Sequence, residues 1–199
     1  FLYPGSNQMI TDEFIDTVLA DFGKGDIILL QNEISGIKHI VDKAYEREMI
    51  IVLNPSPMNE KLLEIDLNKI SYIILNEVEG EAISQKSEPD KILSYLKAKH
   101  PNVKVMLTLG SKGCIYMDSN EEIYQPIFET TVVDTTAAGD TFTGYFIAGI
   151  ASGREYRDIL KTASCAAAIA VSKKGAAPSI PMYNEVQNAL KSMKEKKDK

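Results

Sequence analysis

The sequence predicts an α/β protein with a doubly wound, mostly parallel sheet and helices on both faces. Three observations support this prediction. Short apolar runs at 27–31, 49–53, 72–75 and 103–109 have the composition of buried strands. Segments with apolar residues at helical spacing separate these runs, and this alternation is typical of a parallel sheet. Polar residues follow the runs, at the strand ends where such folds bind their ligands.

The elements of the first half follow from capping and periodicity. Residues 1–4 resemble part of a strand, and Thr11 is expected to be the N-cap of a helix that runs toward Ala20. The run at 27–31 predicts a strand buried on both faces. Helical spacing then predicts a helix over about 37–48, and residues 60–67 predict a short helical piece.

The second half predicts a β-hairpin and four helices. The hairpin strands lie at 114–117 and 122–125, and the helices at 89–100, 142–150, 155–171 and 183–193. Small residues in the segment 155–171 predict a close approach to a neighbouring helix. We expect one domain over residues 1–199, with 194–199 as a frayed, solvated tail.

Composition and charge exclude several classes of protein. The chain is 44% hydrophobic and 25% charged, as in soluble globular proteins. A net charge of −6 argues against nucleic acid or an anionic membrane as the main partner. Only two cysteines occur, Cys114 and Cys165, which support neither a disulfide framework nor a zinc cluster. No apolar run is long enough to cross a bilayer, so we expect a cytoplasmic protein.

The segment VVDTTAAGDTFTG, residues 132–144, carries the strongest chemical signal. Two β-branched residues lead into Asp134, small residues follow through Gly139, and Asp140 opens an apolar run. This order predicts an extended segment and a tight turn whose N–H groups gather at a helix start, where phosphate binds. An anion would repel Asp140. Its carboxylate is therefore suited to accept a proton from an attacking hydroxyl, or it caps the helix, and spacing alone leaves both roles open.

Other familiar chemistries lack their motifs. No GxxxxGK[ST] or GxGxxG sequence occurs, which argues against a Walker-type phosphate loop and a dinucleotide site. The two histidines, His39 and His100, fall on or beside predicted helices without a nearby nucleophile signature, so both are expected to be structural.

Six segments resemble, in order, the ribokinase-like or PfkB family of carbohydrate kinases. They are LLQNEI (29–34), NPSP (54–57), NEVE (76–79), TLGSKG (108–113), DTTAAGDTFTG (134–144) and KKGAAPSIP (173–181). The resemblance implies a Rossmann-type three-layer fold and an ATP-dependent kinase that phosphorylates a sugar hydroxyl, most simply ribose to ribose 5-phosphate. Fructokinase, 2-keto-3-deoxygluconate kinase and nucleoside kinase activities are alternatives within the family. A catalytically inactive nucleotide-binding remnant is an alternative from another class.

The resemblance also implies roles for individual residues. Asp140 is the base for the sugar hydroxyl, and the backbone amides of Ala138, Gly139 and Asp140, with Ala137 beside them, form an anion hole. Glu33 contacts the sugar. The residues expected to bind ATP are Asn76, Thr108, Leu109, Gly110, Ser111, Lys112, Gly113, Gly139 and Ser164.

Two metal ions are implied as well. Glu79 belongs to an Asn-x-x-Glu motif associated with magnesium and its water shell. Potassium is expected beside the anion hole, at Asp134, Thr136, Ala170, Lys173, Gly175 and Ser179. Without the resemblance, the segment 173–179 is more simply a loop that ends a helix.

The chain departs from the family pattern at its start. Roughly the first third of a typical member has no counterpart, including a glycine-rich segment that grips the sugar and a β-sheet lid. Because lid closure excludes water from phosphoryl transfer, we expect the 199-residue chain alone to bind ATP weakly and to phosphorylate sugar poorly. The implied partners are a small sugar and ATP, with a homodimer compatible with the full-length protein.

Overall fold

A computed structural model describes residues 5–59, 62 and 64–196. The chain divides into two compact units. The amino-terminal unit comprises Phe1–Thr108 and Met117–Glu121, and the carboxyl-terminal unit comprises Leu109–Tyr116 and Glu122–Lys199. The strand predicted at 1–4 lies outside the described residues, and so does part of the helical piece predicted at 60–67.

Four parallel strands form the centre of the amino-terminal unit. They are β1 (Ile27–Gln31), β2 (Ile50–Asn54), β3 (Tyr72–Asn76) and β4 (Lys104–Thr108), each paired in parallel with the next. The helices are α1 (Asp12–Leu19), α2 (Ile37–Glu46), α3 (Glu77–Ser84) and α4 (Pro89–Lys99). Helices α2, α3 and α4 pack on β2, β3 and β4 respectively. This alternation is the one that the apolar runs predict.

The core of this unit lies on the three strands β2, β3 and β4. Their central residues, among them Leu53, Ile73 and Leu107, are fully buried. The prediction that β1 is buried on both faces is wrong, because Leu29 is 45% exposed. Among the described residues β1 pairs with β2 alone, and its Leu29 side chain stays accessible. An apolar run does not distinguish such a strand from a central one.

Local signals explain where the helices begin. The Thr11 side chain accepts a hydrogen bond from the Phe14 N–H at 3.2 Å, which confirms Thr11 as the N-cap of α1. Helix α3 is an addition to the predicted elements. It follows β3 directly, because Asn76 and Glu79 form a reciprocal cap at its start.

The carboxyl-terminal unit contains three helices and most of the hairpin, whose residues Met117–Glu121 belong to the amino-terminal unit. Strands β5 (Cys114–Met117) and β6 (Glu122–Gln125) have the predicted bounds. The helices are α5 (Ala138–Ala151), α6 (Tyr156–Val171) and α7 (Tyr183–Ala189). Helices α5 and α6 pack closely, since a Cβ added at Gly149 would lie 2.7 Å from Ile159. The close approach that the sequence predicts for α6 is thus present, and at this point it depends on Gly149 of α5.

Three bounds in this unit differ from the predicted ones. Helix α5 starts at Ala138, so Asp140 lies inside its first turn, and α7 ends at Ala189 instead of 193. The tail predicted to fray is ordered over 194–196: the Glu129 N–H donates to the Lys194 carbonyl and the Lys196 N–H to the Ile127 carbonyl, both at 2.8 Å. These backbone pairs hold the tail against 127–129. Residues 197–199 lie outside the described residues, and the single domain stays a prediction.

Candidate functional site

Polar residues line the carboxyl edge of the four-stranded sheet. Gln31 at the end of β1 lies beside Asn54 at the end of β2, and Asn76 at the end of β3 lies beside Thr108 at the end of β4. The Thr108 hydroxyl donates to the Leu75 carbonyl at 3.4 Å. Two of the predicted nucleotide-binding residues, Asn76 and Thr108, are therefore neighbours on one edge, where α/β sheets bind ligands.

Asn76 and Glu79 are held rigidly by each other. The Asn76 Oδ1 accepts from the Glu79 N–H at 3.0 Å, and the Glu79 Oε2 accepts from the Asn76 N–H at 2.9 Å. Glu79 is only 7% exposed. This capping box gives both residues a structural role at the start of α3. It also fixes the carboxylate, since the cap directly uses Oε2.

The predicted sugar contact, Glu33, follows β1 and is exposed. Its neighbour Asn32 is buried and ties the end of β1 to the segment after β2. The Asn32 N–H donates to the Ser56 carbonyl at 3.0 Å, and its side-chain amide donates to the Pro57 carbonyl at 2.6 Å. The sequence analysis does not single out Asn32 for this role, because it lies between two other polar residues, Gln31 and Glu33.

The predicted nucleotide loop, residues 109–113, is closed by its own backbone. The Leu109 N–H donates to the Gly113 carbonyl at 2.8 Å, and the Tyr124 hydroxyl donates to the Lys112 carbonyl at 2.6 Å. Gly113 has φ +104°, and a Cβ there would lie 2.2 Å from the Gln125 carbonyl oxygen. Only glycine fits this position. Gly110, Ser111 and Lys112 are exposed.

The structure excludes one of the two roles left open for Asp140, that of a helix cap. Ala137 is the N-cap of α5, and no side chain caps this helix. Asp140 is exposed in the first turn. Among the described residues its carboxylate has no hydrogen-bond or ion-pair partner. The capping alternative is therefore wrong, and the carboxylate is accessible to a ligand.

Backbone N–H groups beside Asp140 supply hydrogen-bond donors at the start of α5. A helix leaves its first N–H groups without intrahelical acceptors. The Ala138 N–H donates to the Thr135 carbonyl at 3.2 Å. The N–H groups of Gly139 and Asp140 follow it in the first turn of α5. A Cβ at Gly139 would meet no atom within 4 Å, so the space beside this turn is open.

Unlike the carboxylate of Asp140, the carboxylate of Asp134 accepts several hydrogen bonds. Its Oδ1 accepts from the Thr136 hydroxyl at 2.5 Å and from the Thr136 N–H at 3.0 Å, and its Oδ2 accepts from the Gly175 N–H at 2.9 Å. The Thr136 hydroxyl, followed by the N–H groups of Gly175 and Thr136, holds the pKa of Asp134 below its ordinary value. Asp134 therefore joins the turn to the loop after α6 as a carboxylate.

The residues predicted to hold potassium can supply oxygen atoms from one carboxylate, two hydroxyls and several backbone carbonyls. Oxygen donors of this kind suit a hard cation. Asp134 brings the two contributing segments together through Gly175, whose φ of +96° turns the loop. The Lys173 side chain points to Glu185, at 3.2 Å, which leaves the backbone of Lys173 as the part suited to a ligand. The buried Ser179 hydroxyl donates to the Ala176 carbonyl at 2.7 Å.

Ser164, which is also predicted to bind ATP, lies in the interior of the carboxyl-terminal unit. It is buried in α6, and its hydroxyl lies 3.9 Å from the Cys114 sulfur. Burial raises the pKa of the Cys114 thiol to about 12. The two side chains form a small buried polar pair, so this geometry gives no support to a contact between Ser164 and a nucleotide.

The fold and the site define a class of protein. Parallel strands with polar carboxyl ends, and a helix start with open amides beside an unpaired carboxylate, are features of phosphate-binding α/β proteins. Within the described residues, no helix has both the length and the apolar character to span a bilayer.

Comparison with known proteins identifies the family. Residues 32–182 match the family described as pfkB family carbohydrate kinase. This chain belongs to that family. The chain is 30% identical to the ribokinase of Bacillus subtilis over 188 residues, which cover 94% of this chain and 62% of that protein. It therefore spans less than two thirds of the length of this relative.

Solved structures agree with the fold. The ribokinase of Thermotoga maritima superimposes with a TM-score of 0.78 at 32% identity, covering 96% of this chain and 65% of that one. The Arabidopsis thaliana ribokinase, solved as a complex with ribose and ATP, superimposes with a TM-score of 0.80 at 29% identity. The match covers 96% of this chain and 64% of that one. A fructokinase of Vibrio cholerae, at 19% identity, shares the fold with a TM-score of 0.81 over 96% of this chain and 67% of that one. The predicted fold class is thereby confirmed.

Proposed function

We propose that this chain forms the catalytic part of an ATP-dependent sugar kinase, with ribose as its substrate and ribose 5-phosphate as its product. The observation that carries the proposal is the exposed, unpaired Asp140 in the first turn of α5. The ribokinases of Bacillus subtilis and Thermotoga maritima, at 30% and 32% identity, support ribose over other sugars. Membership of the family supports the transfer of a phosphoryl group to a sugar hydroxyl.

The chemistry follows from the charges at the helix start. The Asp140 carboxylate accepts the proton of the sugar hydroxyl, and the hydroxyl oxygen then attacks the γ-phosphorus of ATP. The bond from that phosphorus to the bridging oxygen breaks, and ADP leaves with the electron pair. The N–H groups of Gly139 and Asp140 stabilise the negative charge on the transferred group, as donors at a helix start do.

Other residues are proposed to bind the nucleotide and its ions. Asn76 and the loop 108–113 would contact ATP, and Glu79 would hold magnesium through water, with its carboxylate fixed by the cap to Asn76. The potassium ligands would be Asp134, Thr136 and the loop after α6. Potassium would supply positive charge beside the phosphate-binding turn. Glu33 would contact the sugar.

Single-turnover phosphoryl transfer tests the proposal. The chain is incubated with ATP labelled at the γ-phosphate, magnesium and potassium, with and without ribose, and sugar phosphate is separated and counted. We expect slow, ribose-dependent transfer. The variant Asp140→Asn removes the proton acceptor at constant size and should reduce the rate about 10²–10⁴-fold, while ATP binding measured by calorimetry is retained.

Three outcomes would contradict the proposal. If phosphoryl transfer is no faster with ribose than without it, ribose is not the substrate. If transfer is faster with fructose than with ribose, fructose is the better assignment. If the Asp140→Asn variant transfers phosphate within a few-fold of the wild-type rate, Asp140 is not the base. Asp158→Asn is the matched control, because Asp158 is exposed in the first turn of α6 and should leave the rate unchanged.

A further inference from the structure

The second strand of the hairpin, β6, lies against the predicted nucleotide loop at 109–113. A Cβ added at Gly113 would lie 2.2 Å from the Gln125 carbonyl oxygen and 2.9 Å from the Pro126 Cα. The loop and β6 both belong to the carboxyl-terminal unit. The backbone of the loop therefore rests directly on the end of β6, within one compact unit.

Alternation along β6 gives one of its side chains access to the loop. Ile123 and Gln125 are buried, whereas Glu122 and Tyr124 are exposed, as expected for a strand with one covered face. From the exposed face, the Tyr124 hydroxyl donates to the Lys112 carbonyl at 2.6 Å. Tyr124 thus holds one carbonyl of the loop from the solvent side of the hairpin.

The other hydrogen bonds of the loop join its own residues to each other. The Leu109 N–H donates to the Gly113 carbonyl at 2.8 Å, and the Lys112 N–H donates to the Leu109 carbonyl at 3.1 Å. These bonds close the loop but do not attach it to a neighbouring element. The bond from Tyr124 does attach it, so this bond fixes the position of the loop relative to the hairpin.

Such an attachment matters because the middle of the loop has little packing around it. Residues 110–112 are exposed. A loop that becomes ordered only when its ligand binds loses conformational entropy, and that loss weakens binding. A hydrogen bond that orders the loop beforehand reduces the loss. One neutral hydrogen bond changes an equilibrium by roughly two- to tenfold.

We propose that Tyr124 is a positioning residue for the nucleotide, and that its hydroxyl holds the loop 109–113 in the conformation that binds ATP. The inference rests on the proposed function, in which this loop contacts ATP. Tyr124 acts through the Lys112 carbonyl. It therefore strengthens ATP binding and leaves both ribose binding and the transfer step unchanged.

Substitutions at Tyr124 separate its hydroxyl from its ring. Tyr124→Phe removes the hydroxyl alone, and Tyr124→Leu removes both. Tyr45→Phe is the matched control, because Tyr45 is also exposed but lies on α2 in the amino-terminal unit, where its ring is 5.7 Å from the Lys69 Nζ. ATP binding to the 199-residue chain is titrated by calorimetry with magnesium and potassium present and ribose absent.

The expected effect is confined to ATP. The Kd for ATP should rise about three- to tenfold in Tyr124→Phe and less than twofold in Tyr45→Phe. In the transfer assay with ribose, the KM for ATP should rise by the same factor as the Kd. The kcat and the KM for ribose should change less than twofold. A general loss of folded protein would instead lower kcat and leave the KM for ATP unchanged.

Hydrogen exchange tests the restraint on the loop without any nucleotide. The Lys112 amide should exchange at least about threefold faster in Tyr124→Phe than in the wild-type chain, because the loop opens more often. The Gly175 amide, which donates to Asp134 at 2.9 Å in the same unit, should change less than twofold. This comparison distinguishes release of the loop from unfolding of the whole unit.

Three results would overturn this role of Tyr124. Equal exchange of the Lys112 amide in both chains would show that the hydroxyl does not restrain the loop. An unchanged Kd for ATP in Tyr124→Phe would contradict the inference alone, and weaker binding by Tyr124→Leu would then assign the contact to the ring. Failure of the wild-type chain to bind ATP at millimolar concentration would contradict the proposed function, and the role of Tyr124 with it.

Discussion

Two aspartates six positions apart show that environment, more than residue type, sets their roles. Asp134 accepts three hydrogen bonds and is a structural link, whereas Asp140 accepts none among the described residues and remains accessible. The sequence predicts a helix start with an acid, but it leaves capping and proton transfer equally open for Asp140. Whether Asp140 caps α5 depends on where the helix begins, and Asp140 would be the N-cap only if the helix started three residues later.

At the residue scale, replacement of Asp134 by Asn should release the loop after α6. An Asn amide has one acceptor oxygen in place of two, so it cannot accept from the Thr136 N–H and the Gly175 N–H at the same time. We expect hydrogen exchange of the Gly175 amide to accelerate at least about tenfold, because the loop opens more often. Exchange measured by NMR checks this.

The control for this prediction is Thr136→Val, which removes the hydroxyl that donates to Asp134 and keeps the bond to Gly175. It should leave the Gly175 amide protected and raise the pKa of Asp134 toward 3.8. In the wild-type chain the lowered pKa means that the link is complete above pH 3.8 and is lost only as pH falls below that value. Loss of Gly175 protection already near pH 5 would contradict the assignment.

At the scale of elements, the sequence predicts what local interactions determine. The cap at Thr11 and the strands β5 and β6 appear where the sequence places them. The exposure of β1 depends on neighbours that an apolar run does not specify. Helix α3 had a readable signal, the Asn-x-x-Glu pattern of a capping box, which also resembles a magnesium motif. One motif thus serves structure and, in our proposal, function.

The contact between α5 and α6 can be tested with two glycines of the same helix. A Cβ at Gly149 would lie 2.7 Å from Ile159, whereas one at Gly144 would meet nothing within 4 Å. Gly149→Ala should destabilise the chain by about 1–2 kcal/mol through overpacking. Gly144→Ala should stabilise it by roughly 0.5–1 kcal/mol through helix propensity. Urea unfolding of both variants measures the change in the free energy of unfolding. Equal changes in the two variants would show that α6 does not restrict Gly149.

At the scale of the whole molecule, the motifs divide between two compact units. Glu33, Asn76, Glu79 and Thr108 belong to the amino-terminal unit. The turn at 134–140 and the loop after α6 belong to the carboxyl-terminal unit. The sequence resemblance orders these motifs along the chain and implies their chemistry. It does not predict hydrogen bonds between distant segments, such as the one between Asp134 and Gly175, because nothing local specifies them.

The last prediction concerns the activity of the 199-residue chain by itself. Phosphoryl transfer requires positioned substrates and exclusion of water, and loss of positioning alone costs about a hundredfold or more. The chain spans 62% of the Bacillus subtilis ribokinase. We therefore expect its kcat/KM for ribose to lie at least about a hundredfold below that of the Bacillus enzyme in a parallel ADP-release assay. An equal rate would show that these 199 residues alone position both substrates and exclude water.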